Sequence, residues 1–111
     1  MEQPATSSDR IAAVVSAWLG VEVHEGQFGL AFTLGKRELG HLHGERVAHF
    51  AFPRALRAEL LEQGRVVPHP VDSPGLAARA LASEDDVAGV VELLRLNYDR
   101  IVERHGVPAP G

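Results

Sequence analysis

Two histidines stand two residues apart in Gly35–His43, GKRELGHLH, and a third, His69, sits between prolines in Val67–Pro70, VPHP. Side chains two apart on a strand point to the same side, with Cα atoms about 6.6 Å apart. Imidazole titrates near neutrality, transfers protons and ligates metals, so His41 and His43 are the sharpest candidates for chemistry in this chain. Three readings of the pair stay open. The rings can pack at the edge of the core with ordinary hydrogen-bond partners, as buried polar groups normally do. They can line a binding or acid–base site. Or they form half of a zinc-type site, which needs a third ligand. His69, His24, His49 and Asp72 are the available thirds, and spacing dictates none of them; His41, His43 and His69 are the foremost metal candidates.

His69 has a stiff backbone because Pro68 and Pro70 flank it, which suits a binding residue and an ordinary edge loop equally. Arg54 and Arg57 fall in the first turns of a helix started by Pro53. There they can hold an anion near the histidines, helped by the helix N-terminus, or simply be solvated. The expected ligand-binding set is therefore His41, His43, His69, Arg54 and Arg57. His24 and His49 read as solvent-facing or incidental, and Trp18 and Tyr98 as core. No Gly-rich phosphate loop, G-x-S-x-G elbow or HExxH is present, and Ser73 reads as a turn residue. The residues identify no catalytic set and no cofactor.

The face occupied by the histidine pair depends on the hairpin register. A two-residue type II′ turn at Gly35-Lys36 sets Arg37 opposite Leu34 and, by continuation, Leu39 opposite Phe32, His41 opposite Leu30 and His43 opposite Phe28. That places the rings on the apolar side. A three-residue bulged loop puts them instead with Ala31 and Thr33, the more exposed side.

The elements that must position these groups are legible from periodicity. Ser7 or Ser8 caps a helix to about Leu19, with Ile11, Val15 and Trp18 on one face and Gly20 as its stop. Val21–His24 is a short strand, and Phe28, Leu30, Phe32 and Leu34 alternate as the next. Arg37–His43 and Val47–Phe52 complete an antiparallel meander. A helix from Pro53 to about Gln63 carries Leu56 and Leu60 inward. Arg65–Val71 is extended and confined to an edge by its prolines, and Leu76–Ala82 is a last strand. Ser83 caps a final helix with Val87, Val90, Val91, Leu94, Tyr98 and Ile101 as its apolar stripe. The expected fold is α+β: a two-layer domain with an antiparallel sheet of about five strands and helices packed on one face. The ordered core spans about 8–105, with a frayed leader and a loose tail.

At 111 residues, with 45% hydrophobic and 23% charged residues, the chain reads as one globular domain covering 1–111. It has no cysteine, so disulfides, thiolate metal sites and a cysteine nucleophile are excluded. No apolar run is long enough to span a bilayer and no signal sequence is visible, so the expectation is no membrane association and a cytoplasmic location. The net charge is −4, with one lysine and arginines spread along the chain, which makes nucleic-acid binding unlikely. An exposed sheet edge leaves a homodimer possible.

The runs RELGHLHG, FAFPRALRAELLEQGRVVPH and SEDDVAGVVELLRLNYDR resemble the bacterial and fungal "luciferase domain" family of unknown function. The likeness covers about residues 9–104, and GHLHG and FPR are its most specific elements. It implies a small α+β fold and does not imply light emission. Two departures stand out. Ser73-Pro74-Gly75-Leu76 replaces a Ser-Gly-Trp pattern, and Ala48-His49 replaces Ala-Asp, so roles resting on that tryptophan or aspartate do not carry over. The last third is also similar to MmcQ/YjbR-like domains, small α+β folds often labelled DNA-binding. The function expected is binding of a small molecule or anion at a histidine-lined face. A histidine-dependent, metal-assisted enzyme is one alternative, and weak nucleic-acid binding by analogy is the other.

Overall fold

The computed structural model describes residues 5–71 and 73–108, so Asp72 lies outside the described residues. Thr6, rather than Ser7 or Ser8, caps helix α1 (Ser7–Val15). Its hydroxyl accepts the Asp9 N–H at 3.1 Å while its own N–H donates to the Asp9 carboxylate at 3.2 Å, a reciprocal box that neither serine can form with an acid three residues on. Ser8 is used elsewhere. Its N–H and Oγ donate to Glu45 at 2.8 and 2.6 Å, tying α1 to a turn of the sheet. The helix stops at Val15, short of Leu19, where the last turn tightens into Ala17 N–H to Val14 and Trp18 N–H to Val15 bonds.

The meander follows as β1 (Val21–Glu25), β2 (Leu30–Leu34), β3 (Arg37–His43) and β4 (Val47–Ala51). Helix α2 (Arg54–Glu62) leads to the short β5 (Val67–Pro68), then β6 (Leu76–Ala80) and the long α3 (Glu84–His105). All strands pair antiparallel in one six-stranded sheet of order β1-β2-β3-β4-β6-β5. The strand beyond the five expected is β5, two residues at the edge, where Pro68 lacks an N–H to offer.

Side chains alternate in direction along the central strands. Phe32, Leu34, Leu42, Ala48, Phe50 and Ala77 turn to one side, where they meet Ile11 and Val15 of α1 and Val90, Leu93 and Leu94 of α3 in one core. Leu60 of α2 joins the same core, so all three helices lie on one side of the sheet. Among the described residues no helix is long and apolar enough to cross a membrane. Ser83 caps α3, accepting the Asp86 N–H. The Asp86 carboxyl is held below its usual range, foremost by the Ala82 N–H at 2.8 Å and then by Arg79. Tyr98 donates its hydroxyl to the Leu19 carbonyl at 2.7 Å and fixes the chain leaving α1.

The β2–β3 register departs from the simple hairpin in one place. The turn has two residues, with Gly35 at φ 63, and Leu34 pairs with Arg37 and Thr33 with Glu38. The ladder then slips: Phe32 faces Gly40 and Ala31 faces His41, leaving Leu39 as the extra residue of a β-bulge. The bulge sits inside the strand rather than in the loop. It reverses the sides beyond it, so Gly40 and Leu42 enter the core and His41 and His43 emerge on the uncovered face. The expectation that a two-residue turn puts the histidines on the apolar face is overturned for that reason.

Candidate functional site on the uncovered face

The β3–β4 ladder pairs His41 with His49 and His43 with Val47. Ala48 and Phe50 fill the core, so His49 between them points the opposite way. Beyond it β6 offers Ala78, and β5 offers Val67 opposite Ala78. One row across the open face therefore reads Ala31, His41, His49, Ala78, Val67, with small residues flanking the two imidazoles.

The rings form a contiguous group. Centroids lie 5.1 Å apart for His41 and His43, 5.3 Å for His41 and His49, and 4.2 Å for His43 and His49. The loop after β5 adds His69, whose ring centre is 4.2 Å from that of His49. Phe28 stacks on His43 at 5.3 Å with the planes 8° apart. Phe28 was expected to continue the apolar alternation of β2. It lies ahead of β2 and on the other face, 63% exposed and stacked on His43. Gly29 has φ 146, and a Cβ there would sit 2.5 Å from the Leu42 carbonyl oxygen.

Hydrogen bonds assign the ring nitrogens. His41 Nδ1 lies 3.0 Å from a Glu38 carboxylate oxygen, which only accepts, so Nδ1 carries a proton and, in the neutral ring, Nε2 presents a lone pair. The Val71 N–H donates to His69 Nδ1 at 2.9 Å, which puts the His69 proton on Nε2. That Nε2–H donates to His49 Nδ1 at 3.2 Å. His49 is only 9% exposed, and burial, followed by its neighbours His69, His43 and His41, pushes its pKa down from 6.5 to about 4.

His49 is the residue sequence reasoning ranks too low: one of four available third ligands, it otherwise reads as incidental in the chain, yet it is the most buried member and the one that touches all the others. The signal was available. Counting back across the three-residue Gly44–Arg46 turn from the His43–Val47 pair sets His41 opposite His49. His24, by contrast, is exposed and bonded to Thr33 at 2.8 Å.

The two arginines do not join the group. The Arg57 Nε donates to the Leu76 carbonyl at 2.6 Å, anchoring α2 to the start of β6, and Arg54 is exposed at the head of α2. Among the described residues neither forms a hydrogen bond with an imidazole. His41, His43 and His49 each offer one ring nitrogen within 4.8 Å of the others, a spacing compatible with a shared metal ion. A cluster of neutral imidazoles supplies lone pairs and N–H donors. It supplies no fixed positive charge.

No curated protein and no solved structure matches the chain. A family model does: it is described as Luciferase domain and matches residues 36–97, more than half the chain. That span runs from the β2–β3 turn through all four clustered histidines to Asn97 on α3, and the chain belongs to the Luciferase domain family.

Proposed function

We propose that this domain binds a small molecule or small anion on the uncovered, histidine-lined face of its sheet. The observation that carries the reading is the burial of His49, 9% exposed on a face that no helix among the described residues covers, among three other imidazoles. A ring held this far from its normal protonation behaviour, outside the hydrophobic core, is a mark of functional sites. Phe28 stacked on His43 gives the patch an aromatic wall suited to a planar or partly apolar ligand.

Isothermal calorimetry with phosphate, acetate and a planar aromatic carboxylate tests this, comparing the parent with His43→Ala and His49→Gln. Binding by the parent that both substitutions abolish supports the reading. Absence of heat from all three probes, with or without added metal, refutes it.

A second reading rests on the Glu38–His41 pair. The carboxylate orients the ring by its Nδ1–H and leaves Nε2 free, the arrangement of a general base. Hydrolysis of an activated ester, lost in both Glu38→Gln and His41→Ala, would favour it. Nucleic-acid binding draws no support from a chain of net charge −4.

A further inference from the structure

We infer that His41, His43 and His49 form a binding site for a divalent transition-metal ion of the zinc type, with Glu38 and His69 as outer partners and one coordination position open to the ligand. Only the open position rests on the function proposed above. The metal site stands on its own geometry.

Three ring nitrogens lie within 4.8 Å of one another. Tetrahedral zinc with Zn–N near 2.0–2.1 Å sets its nitrogens roughly 3.3 Å apart, so side-chain rotation closes the set without moving the ladder. The backbone is already committed, since His41 and His49 are a direct cross-strand pair flanked by Ala31 and Ala78. No bulky neighbour stands beside them in that row.

The nitrogens facing away from the cluster are accounted for. Glu38 takes the His41 Nδ1–H and leaves Nε2 as the donor atom. His69 faces His49 Nδ1 with its Nε2–H, so a metal on His49 Nε2 requires the His49 proton to move to Nδ1 and His69 Nε2 to become the acceptor. The carboxylate behind His41 is the outer-sphere pattern that orients metal-bound imidazoles, and His69 takes the same place behind His49 once that tautomer change is made. An all-imidazole set with no thiolate suits zinc, copper or nickel, and gives magnesium or calcium nothing they prefer.

His69 explains why the site has three protein ligands rather than four. Both of its nitrogens are engaged, Nδ1 by the Val71 N–H and Nε2 by His49. A three-nitrogen ion keeps a position for water or an anion, as catalytic and ligand-binding zinc sites do and closed structural sites do not. The ion also supplies the positive charge that neutral imidazoles lack. It thereby gives a small anion a partner in place of Arg54 and Arg57.

The test is titration of chelator-treated full-length protein with zinc chloride by calorimetry, and with cobalt(II) chloride by visible absorption. The expected result is one ion per chain, with the intense d–d absorption of tetrahedral cobalt. His43→Ala and His49→Gln abolish that step, Glu38→Gln weakens it by about 10- to 100-fold, and His24→Ala leaves it unchanged. Circular dichroism separates loss of ligands from loss of fold, and His43→Ala, altering a half-buried ring, is the variant to weigh if His49→Gln unfolds. A stoichiometry near zero, equal binding of magnesium, or unchanged affinity in folded His43→Ala overturns the inference. Phosphate, acetate or the aromatic carboxylate added to the zinc-loaded and zinc-free protein then separates the two claims. Zinc binding with no response to phosphate, acetate or the aromatic carboxylate removes the ligand reading and keeps the metal site, whereas binding of one of these anions by protein that takes up no zinc does the reverse.

Discussion

Asn97 of α3 donates from Nδ2 to the Leu39 carbonyl at 2.9 Å, reaching the extra residue of the β2–β3 bulge. The same amide group reaches the Ala51 carbonyl at 3.1 Å, and its oxygen accepts from Arg100 at 3.1 Å. A bulge leaves a carbonyl outside the ladder, and a buried carbonyl without a donor is costly. Asn97 is fully buried and supplies that donor, so a helix on the core side stabilises the register that turns His41 and His43 to the far side. Asn97→Ala strands two carbonyls and opens a small void, and is expected to cost about 3 kcal/mol. Urea denaturation reads the loss. Histidine ring signals in NMR should shift in this variant although it lies on the opposite face, and unchanged signals would dissociate the amide from the site.

Gly40 tests the same strand by sterics. A Cβ there would meet Leu94 Cδ2 at 2.8 Å and Phe50 Cδ1 at 2.9 Å, both in the packed core. Gly40→Ala is therefore expected to destabilise by about 1–3 kcal/mol through overpacking. Gly44 is the contrast. It has open space around it but φ +58, so Gly44→Ala should cost about 1 kcal/mol through backbone strain alone. Restoring space with Leu94→Val should partly rescue the first variant and not the second, as measured by thermal unfolding.

Leu94 and Val91 share an apolar stripe in the sequence and part company in the fold. Leu94 is fully buried beneath Gly40, while Val91 is half-buried at the rim of the core. Leu94→Ala is expected to cost about 2–5 kcal/mol. Val91→Ala should cost about 1 kcal/mol, near the mean for point substitutions. Equal losses in chemical denaturation would mean that α3 is rotated on the sheet.

Much of this architecture is legible in the residues because it follows from period. The bounds of β3, the same-side placement of His41 and His43, and the burial of Val87, Val90, Leu94, Tyr98 and Ile101 all come from repeats of two or 3.6. The side on which the histidines emerge does not. It follows from the bulge at Leu39, whose carbonyl accepts from a side chain 58 residues away, and no local pattern encodes that bulge. His49 reads as incidental among the available third ligands because its surroundings are assembled across strands and from the loop carrying His69. The anion site at Arg54 and Arg57 is expected from their place in the first turns of a helix, whereas in space Arg57 is engaged by the Leu76 carbonyl.

The depressed pKa of His49 gives the metal-free protein a signed pH response. In the unfolded chain this ring protonates near 6.5, whereas in the fold, desolvated and beside three imidazoles, it protonates near 4. Above pH 6.5 both states are neutral and the group contributes nothing. Between 6.5 and 4 only the unfolded chain takes up the proton, so stability falls as pH falls, and below 4 the loss is complete. A tenfold difference in proton affinity is worth about 1.4 kcal/mol, which limits the loss to about 3 kcal/mol. Carboxylates titrate over part of the same range, so the diagnostic quantity is parent minus His49→Gln. That difference should narrow by up to this amount between pH 7 and pH 4, and a pH-independent difference would show that the ring is not desolvated.

The Val71–His69–His49 relay predicts how the loop after β5 responds to zinc. Without metal, His69 accepts from the Val71 N–H and donates to His49 Nδ1, which leaves the His49 proton on Nε2. A metal on Nε2 displaces that proton, and the neutral ring then carries its hydrogen on Nδ1, facing His69. Two donors now meet across the 3.2 Å contact unless His69 changes tautomer and gives up the Val71 N–H. Zinc loading is therefore expected to weaken the Val71 amide hydrogen bond, seen as an upfield amide proton shift and faster hydrogen exchange at Val71 alone in that loop. His69→Ala removes the conflict, so zinc should bind it without perturbing Val71. A Val71 amide unmoved by saturating zinc in the parent would place the ion on the other His49 nitrogen or outside this cluster.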